Sequence, residues 1–557
     1  MSQSETRYRW NEITWRKLQA KTFKLQKRIY RAAQQKNTKL VHQLQRLLLT
    51  SNSAKLLSTR KVSQDNRGRK TAGVDGKVAL TETERMTLAS SMNLKQSSPL
   101  RRVWIPKPGK SEKRPLGIPT IKDRAKQALV KMALEPEWEA KFEPNSYGFR
   151  PGKSCHDAIV AIHNSITKKT GYVLDADISG CFDNINHQAL LNKLDSPPKI
   201  KRLVKGWLEV GIMDGKVFYA TDSGTPQGGV ISPLLANIAL HGLEQDTKQA
   251  LARDLLAHFK SKTGKSHNIK AQAAMSIIRY ADDFVVIHES HEIITKAKAN
   301  IAIWLKNIGL ELNPNKTRIK HTQRATEGQK GGFDFLGYTI RQFPDNRTRR
   351  GYKTHTRPSM QGQKSHMREV KQKLNKLRAV RQDRVIEELN PLIKGWSRYY
   401  VPGVSSSIFR RMDHKLHIKL WRWAKRRHSR KSAGWIKAKY FRKYGNDNWR
   451  FMTHEQKFLI RYSEHHVKRH IKVNGTQSPY DGDWIYWTTR LGRSPGIKPK
   501  VAKLMKKQQG KCGLCRLFLS DEDVMEVHHQ DQQRSNNRYE NLLLLHGHCH
   551  DRIHRYG

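Results

Sequence analysis

Apolar residues recur along this chain at two periods, and the places where the period changes divide it. Between Trp15 and Leu49, residues Leu18, Leu25, Ile29, Leu40, Leu44 and Leu47 return at near-helical spacing among Lys and Arg, which predicts two basic amphipathic helices interrupted near Asn37-Thr38. Thr71 to Gly76 reads as a turn-rich loop. Arg101 to Lys110 and Lys113 to Pro119 are basic strand-like runs around a Gly/Pro turn, the pattern of a hairpin finger. Tyr172 to Ile178 is an apolar strand ending in acid, and Ile277 to Ile287 reads I-I-R-Y-A-D-D-F-V-V-I, a β-hairpin with two carboxylates at its tip. A helix is predicted from Trp304, closing on Gly309, before the run Leu310 to Lys316. Beyond Gly351 the pattern turns from mixed α/β to helical and basic, with Leu374, Leu377, Val380, Val385, Ile386, Leu389, Leu392 and Ile393 as the apolar positions. From about Arg442 to Lys507 the chain stays basic with weak patterning, and Gly475 to Gly482 and Gly492 to Pro499 read as loops or linkers.

The two strand signals carry chemistry. A lone Asp-Asp pair is ordinarily a solvated turn, but Asp282 and Asp283 have apolar flanks on both sides, and a third acid ends another strand. Adjacent ionised carboxylates repel, which a protein tolerates when a divalent cation lies between them. Side chains alternate along a strand, so Asp175 and Asp177 share a face, and pairing with the hairpin brings Asp177 to Asp282. Three carboxylates at such a junction can hold two Mg2+ ions for nucleotidyl transfer. Lys107 and Arg114, on the finger, can clamp a triphosphate. Phe182 can pack under a sugar and exclude a 2′-hydroxyl, although a core ring is the better reading of the residue taken alone, and the amide of Gln227, beside a Gly pair, can hydrogen-bond both template and nucleotide.

Charge narrows the partner. The 557 residues carry a formal net charge of +58, and a chain with that excess calls for a polyanion. No apolar run approaches the ~20 residues that span a bilayer, and Met1 to Trp10 is too polar for a signal peptide, so we expect a nucleic-acid protein of the cytoplasm with no membrane partner. Trp421 to Tyr444 adds a run without acids in which Lys and Arg interleave with Trp421, Trp423, Trp435, Tyr440 and Phe441, the ingredients of a sequence-tolerant nucleic-acid surface. For the N-terminal helices a solvated face and an RNA-contacting face both fit.

Five cysteines are too few and too uneven for a disulfide framework. Cys512 and Cys515, with His546 and Cys549 at the same two-residue gap, are what a tetrahedral structural Zn2+ takes. Around them stand His528, His529, Asn541, His550 and His554, the last two on one face of a predicted helix.

Tyr280 to Asp283, with D-A-D-I-S-G-C-F-D from Asp175 upstream and G-T-P-Q-G-G-V-I-S-P from Gly224 between, resembles motifs C, A and B of reverse transcriptases in the expected order. Asn390 to Tyr400, N-P-L-I-K-G-W-S-R-Y-Y, is similar to the maturase thumb signature, so nearly the whole chain resembles a bacterial-type group II intron-encoded reverse transcriptase and maturase. The resemblance implies a multidomain α+β fold: a basic RNA-binding extension (1–95), fingers and palm with an antiparallel sheet (96–345), a helical thumb (346–440), a DNA-binding region (441–505) and a ββα-metal HNH domain (506–557). It implies that Asp177, Asp282 and Asp283 hold two Mg2+ ions, with Asp177 and Asp282 the direct ligands, Lys316 as general acid for pyrophosphate, and Phe333 to Tyr338 as a primer-grip strand. In the HNH part it implies His529 as general base, His528, His550 and His554 around a divalent metal, and Asn541 orienting the loop that holds His529. The alternative there is a zinc-stabilised DNA-binding knuckle without catalysis. The activity implied is RNA-directed DNA synthesis from dNTPs, splicing of the parent intron RNA, and nicking of target DNA during target-primed intron mobility in the bacterial cytoplasm or at the nucleoid. A splicing-only maturase and a defence or diversity-generating reverse transcriptase are the rival readings.

Overall fold

A computed structural model describes residues 9–78, 80–106, 113–326, 330–520 and 523–555. The two N-terminal helices run Trp15–Gln34 and Thr38–Thr50. The break between them is set by Lys36 in the left-handed region (φ 56°) and by Asn37, whose side chain accepts from the Leu40 amide at 3.0 Å and so caps the second helix. Their buried seam follows Ile29, Ala33, Val41, Leu44 and Leu48, whereas Leu47, expected on that seam, is 51% exposed. A step of four from Leu44 reaches Leu48 and leaves Leu47 on the flank. The seam packs into the first of two large cores, centred on the helix Ile121–Lys141.

A four-stranded antiparallel sheet separates the two cores, in the order Ser276–Tyr280, Asp283–His288, Tyr172–Asp177, Arg318–His321. Alternation divides its side chains: Leu174, Ala176, Phe284 and Val286 enter the first core, and Val173, Val285 and Ile287 the second. The helix expected from Trp304 is the last turn of a longer one, His291–Lys306, started by Ser290 and ended before Gly309 at φ 76°. Its apolar stripe of Ile293, Ile294, Ala297, Ile301 and Leu305 is buried, and Trp304 lies at the edge of that stripe. Leu310 to Lys316 lies outside the helix and runs past the end of the central strand, the Asn313 amide donating to the Asp177 carbonyl at 2.8 Å.

The second core is covered by helices Met360–Lys376, Gln382–Tyr400 and Ser406–Arg427. Before them comes a strand, Tyr352–Pro358, where helical sequence was expected; it pairs along its length with Tyr338–Pro344, so the boundary placed at 345/346 falls inside a hairpin turn. Thr354 and Thr356, β-branched and alternating, suit that strand. Phe333 to Tyr338 is likewise a tight hairpin rather than one strand, turning at Leu336-Gly337. Tyr399 and Tyr400 fasten it, donating to the carbonyls of Leu336 at 2.7 Å and Gly337 at 3.1 Å.

The basic finger forms strands Leu100–Pro106 and Lys113–Ile118, antiparallel, in a sheet extended by Ile212–Asp214 and Val217–Tyr219. In the Trp421 to Tyr444 run, Trp423, Tyr440 and Phe441 are buried, so most of its rings serve packing and Trp435 stays half-exposed. The stretch beyond is anchored, not free: the Tyr480 hydroxyl donates to Glu135 at 2.8 Å, and Asp157 receives the Val473 amide at 2.7 Å, His470 at 3.0 Å and both contacts from Arg490 Nη2 at 2.5 and 2.6 Å. The C-terminal part is a hairpin, Met525–His529 with Leu542–His546, followed by the helix Gly547–Arg555, a ββα unit. Among the described residues no helix is long and apolar enough to cross a membrane.

Candidate active site

Three carboxylates converge at one end of the central sheet. Ser276–Tyr280 and Asp283–His288 pair with Tyr280 opposite Asp283, so Ala281 and Asp282 form the turn, with Ala281 at φ 59°. The register on the other side sets Asp177 directly across from Asp283, one position from the pairing with Asp282 that strand alternation suggested. Burial raises Asp282, and Asp177 beside it adds to the shift. Asp283 is pushed up to about 7, by burial first and then by Asp282 and Asp177. Asp175 stands apart, paired with Lys320 at 3.2 Å.

Burial and mutual repulsion both disfavour charge on these acids, a bound cation relieves both, and hard oxygen donors are what Mg2+ takes, so the three acids fit the metal expected there. In the structure one positive group already leans in: Lys316 Nζ is 2.7 Å from Asp177 Oδ2, a contact that raises the lysine. Arg114, exposed on the finger, adds a positive potential at Asp282. Lys107 lies outside the described residues.

Phe182 follows a left-handed Gly180 (φ 49°), is partly buried against the first core, and meets Phe149 edge-on at 6.0 Å. The Gln227 side-chain amide donates to both oxygens of Asp183 at 3.2 Å, and the Gln227 backbone carbonyl accepts from the Gly117 amide at 2.8 Å, tying this loop to the finger.

Sequence reasoning missed what braces the acidic turn. Buried Arg279 donates to the Ala281 carbonyl at 3.2 Å and to Asn237 at 3.0 Å, and Asn237 donates to the Gly148 carbonyl at 2.8 Å. Gly148 lies so close that a Cβ there would sit 2.3 Å from the Ala281 nitrogen. The Arg directly before Tyr280, inside an otherwise apolar strand, was the available signal.

Two further groups lie in the ββα unit and the segment that precedes it. Cys512, Cys515, His546 and Cys549 have ligand atoms all within 4.8 Å of one another, as do His528, His550 and His554. In the first group His546 Nδ1 stands 3.3 Å from Cys515 Sγ, and its other nitrogen lies 3.6 Å from Asp523, the partner a metal-bound imidazole ordinarily has. Three thiols and one imidazole suit Zn2+. In the second, His550 Nδ1 pairs with Glu526 at 2.8 Å, and the step to His554 places both rings beside His528. His529 is the next residue on the strand, half-buried, with Nε2 3.5 Å from Asn537 Oδ1. Asn541 accepts from the Asp531 amide at 3.0 Å and donates to the Asp531 side chain at 2.8 Å and the Asn536 carbonyl at 3.0 Å, which pins the loop that follows His529.

Residues 105–340 match the family described as reverse transcriptase (RNA-dependent DNA polymerase), 10–92 the N-terminal domain of reverse transcriptase, and 363–441 the group II intron, maturase-specific domain. The chain is similar to Protein YkfC of Escherichia coli, 32% identical over 329 residues, 53% of this chain and 83% of that protein. It is similar to the group II intron-encoded protein LtrA of Lactococcus lactis, 30% identical over 325 residues, 50% of this chain; it spans about half of that relative, 53%. An uncharacterised 91 kDa protein in the cob intron of Schizosaccharomyces pombe is 33% identical over 265 residues, covering 40% of this chain and 32% of its own.

Proposed function

Because the chain belongs to the group II intron-encoded reverse transcriptases and maturases, we propose that it copies RNA into DNA at Asp177, Asp282 and Asp283 and binds its parent intron RNA to promote splicing. The observation that carries the polymerase reading is the convergence of these acids at one sheet end, with Asp283 pushed up to about 7. Bound Mg2+ ions would favour the ionised primer 3′-hydroxyl and offset charge on the leaving pyrophosphate. The remaining work falls to the chain's own groups. Arg114, with Lys107, grips the triphosphate of the incoming dNTP. Phe182 would close the space a 2′-hydroxyl needs, Gln227 would orient the nucleotide against its template, and Lys316, which contacts Asp177 at 2.7 Å, would give a proton to the leaving pyrophosphate.

The ββα unit supports a second activity, nicking of target DNA, with His529 taking a proton from water and His528, His550 and His554 holding a divalent metal. Cys512, Cys515, His546 and Cys549 would hold a structural Zn2+, and residues 441–505 would contact the DNA. Together these parts suit intron mobility by target-primed reverse transcription.

The test is primer extension on a poly(rA)·oligo(dT) duplex. Asp282→Ala should abolish extension and leave intron RNA binding intact; retained synthesis would sink the assignment. His529→Ala should remove nicking of target DNA and spare extension.

A further inference from the structure

A cavity of 540 Å3 opens between the helix Ser406–Arg427 and the hairpin Phe441–Phe451, away from the acids and from the ββα unit. Its size falls in the range of small-ligand sites, ~300–1,000 Å3. The floor is apolar and closed: Leu416, Leu420, Phe451 and Leu459 are all buried. One wall is Trp449, which is 40% exposed although Phe441 next to it is buried. At the rim Arg410 and His414 stand one turn apart on the helix, and Arg410 makes no ion pair with any described residue.

The chemistry of this lining selects a ligand class. Asp413 lines the cavity as well, but it accepts from the amides of Tyr462 at 2.7 Å and Ser463 at 3.0 Å, so it is already satisfied and does not ask for a cation. Trp449 carries Lys437 Nζ 4.5 Å from its ring centroid and meets His417 edge-on at 5.5 Å, so the indole is held by neighbours yet left open. An open indole over an apolar floor, with a free guanidinium at the rim, suits a flat π system joined to an anion.

We propose that this cavity takes one unstacked nucleotide of a bound nucleic acid strand, its base on Trp449 and its phosphate at Arg410. The proposal rests on the reading of the chain as a nucleic-acid protein and adds a discrete site to its diffuse basic surface. The same chemistry is offered by a looped-out residue of RNA and by a displaced residue of DNA.

The experiment uses the full-length chain and four probes: a U12 RNA, a T12 DNA, and the abasic strand of each. Wild type should prefer the base-bearing strand to its abasic partner, and Trp449→Ala should shrink that preference about tenfold, the effect of one stacked base. Trp449→Phe, which keeps a ring, should retain most of it, and Arg410→Gln should weaken both strands alike. A coupling seen only with RNA assigns the site to RNA, and one seen only with DNA assigns it to DNA. If Trp449→Ala leaves the ratio unchanged while binding persists, the cavity is no nucleotide site. If wild type holds none of the four probes at low salt, the nucleic-acid reading itself falls, and this site with it.

Discussion

Asp157 joins two distant parts of the chain, and its removal should separate them. The carboxylate is fully buried at the start of the helix Cys155–Thr167, where it caps the Ser154 amide at 2.8 Å and receives Arg490, His470 and the Val473 amide. Burial opposes its charge, yet His470 and Arg490 together hold the carboxyl far below the usual range. Asp157→Ala leaves the largely buried Arg490 guanidinium without its counter-charge, which costs about 3–5 kcal/mol. At 1.4 kcal/mol per decade this is roughly two to three and a half decades of lost protection, read as hydrogen exchange of amides in 465–493. The double variant Asp157→Asn with Arg490→Met removes both charges at similar volume and should recover most of the loss. Because the folded pKa is depressed, the stabilisation is present above the unfolded value of about 3.9 and is lost as the pH falls through the lower folded value. Exchange in Asp157→Ala within a factor of about five of wild type, a difference of about 1 kcal/mol, would mean that Asp157 does not hold this stretch in place.

Four further outcomes are expected. Gly148→Ala forces a methyl against the Ala281 backbone nitrogen, so the turn must shift: extension should drop about a hundredfold, as an ångström-scale shift of reacting groups does, and the melting temperature should fall with it; wild-type rates would show that the turn yields freely. Burial and its acidic neighbours raise Asp283 to about 7, so the metal-free chain should gain stability as the pH falls from 7 towards 4, and the Mg2+ midpoint for extension should rise below pH 7; a midpoint flat from pH 6 to 8 would contradict this. Cys515→Ser should cost one zinc per chain by elemental analysis and make 510–555 protease-sensitive, and an unchanged zinc content would exclude the site. If about six phosphates are neutralised, RNA affinity should fall by roughly three decades from 50 to 200 mM salt; a response near zero would mean that charge is not the main grip.

The acids were legible because strands announce themselves by alternation: Tyr172–Asp177 and the hairpin around Asp282 lie where their apolar runs are. The exact register was not, since sequence leaves a strand free to slide by one, and here it pairs Asp177 with Asp283. The group of Cys512, Cys515, His546 and Cys549 was legible as two pairs at the same two-residue gap, whereas the ββα unit and the group of His528, His550 and His554 came from the family resemblance. What stayed hidden is long-range. Nothing near Asp157 marks Arg490 as its partner, and a stretch read as weakly patterned is held by polar contacts that leave no apolar period. The rings between Trp421 and Phe441 misled for a related reason, because an aromatic residue among cations looks the same in sequence whether it faces RNA or closes a core.

The hydrogen bond from Tyr480 to Glu135 spans 345 positions. A ribosome adding 5–20 residues per second needs roughly 20–70 s to travel that far. For that interval the helix bearing Glu135 holds that acid through Lys131 on the same helix, and the face that Tyr480 will cover stays open to solvent. During translation, then, the nascent chain is a long-lived basic polymer with an unfinished side, next to the very message from which it is read.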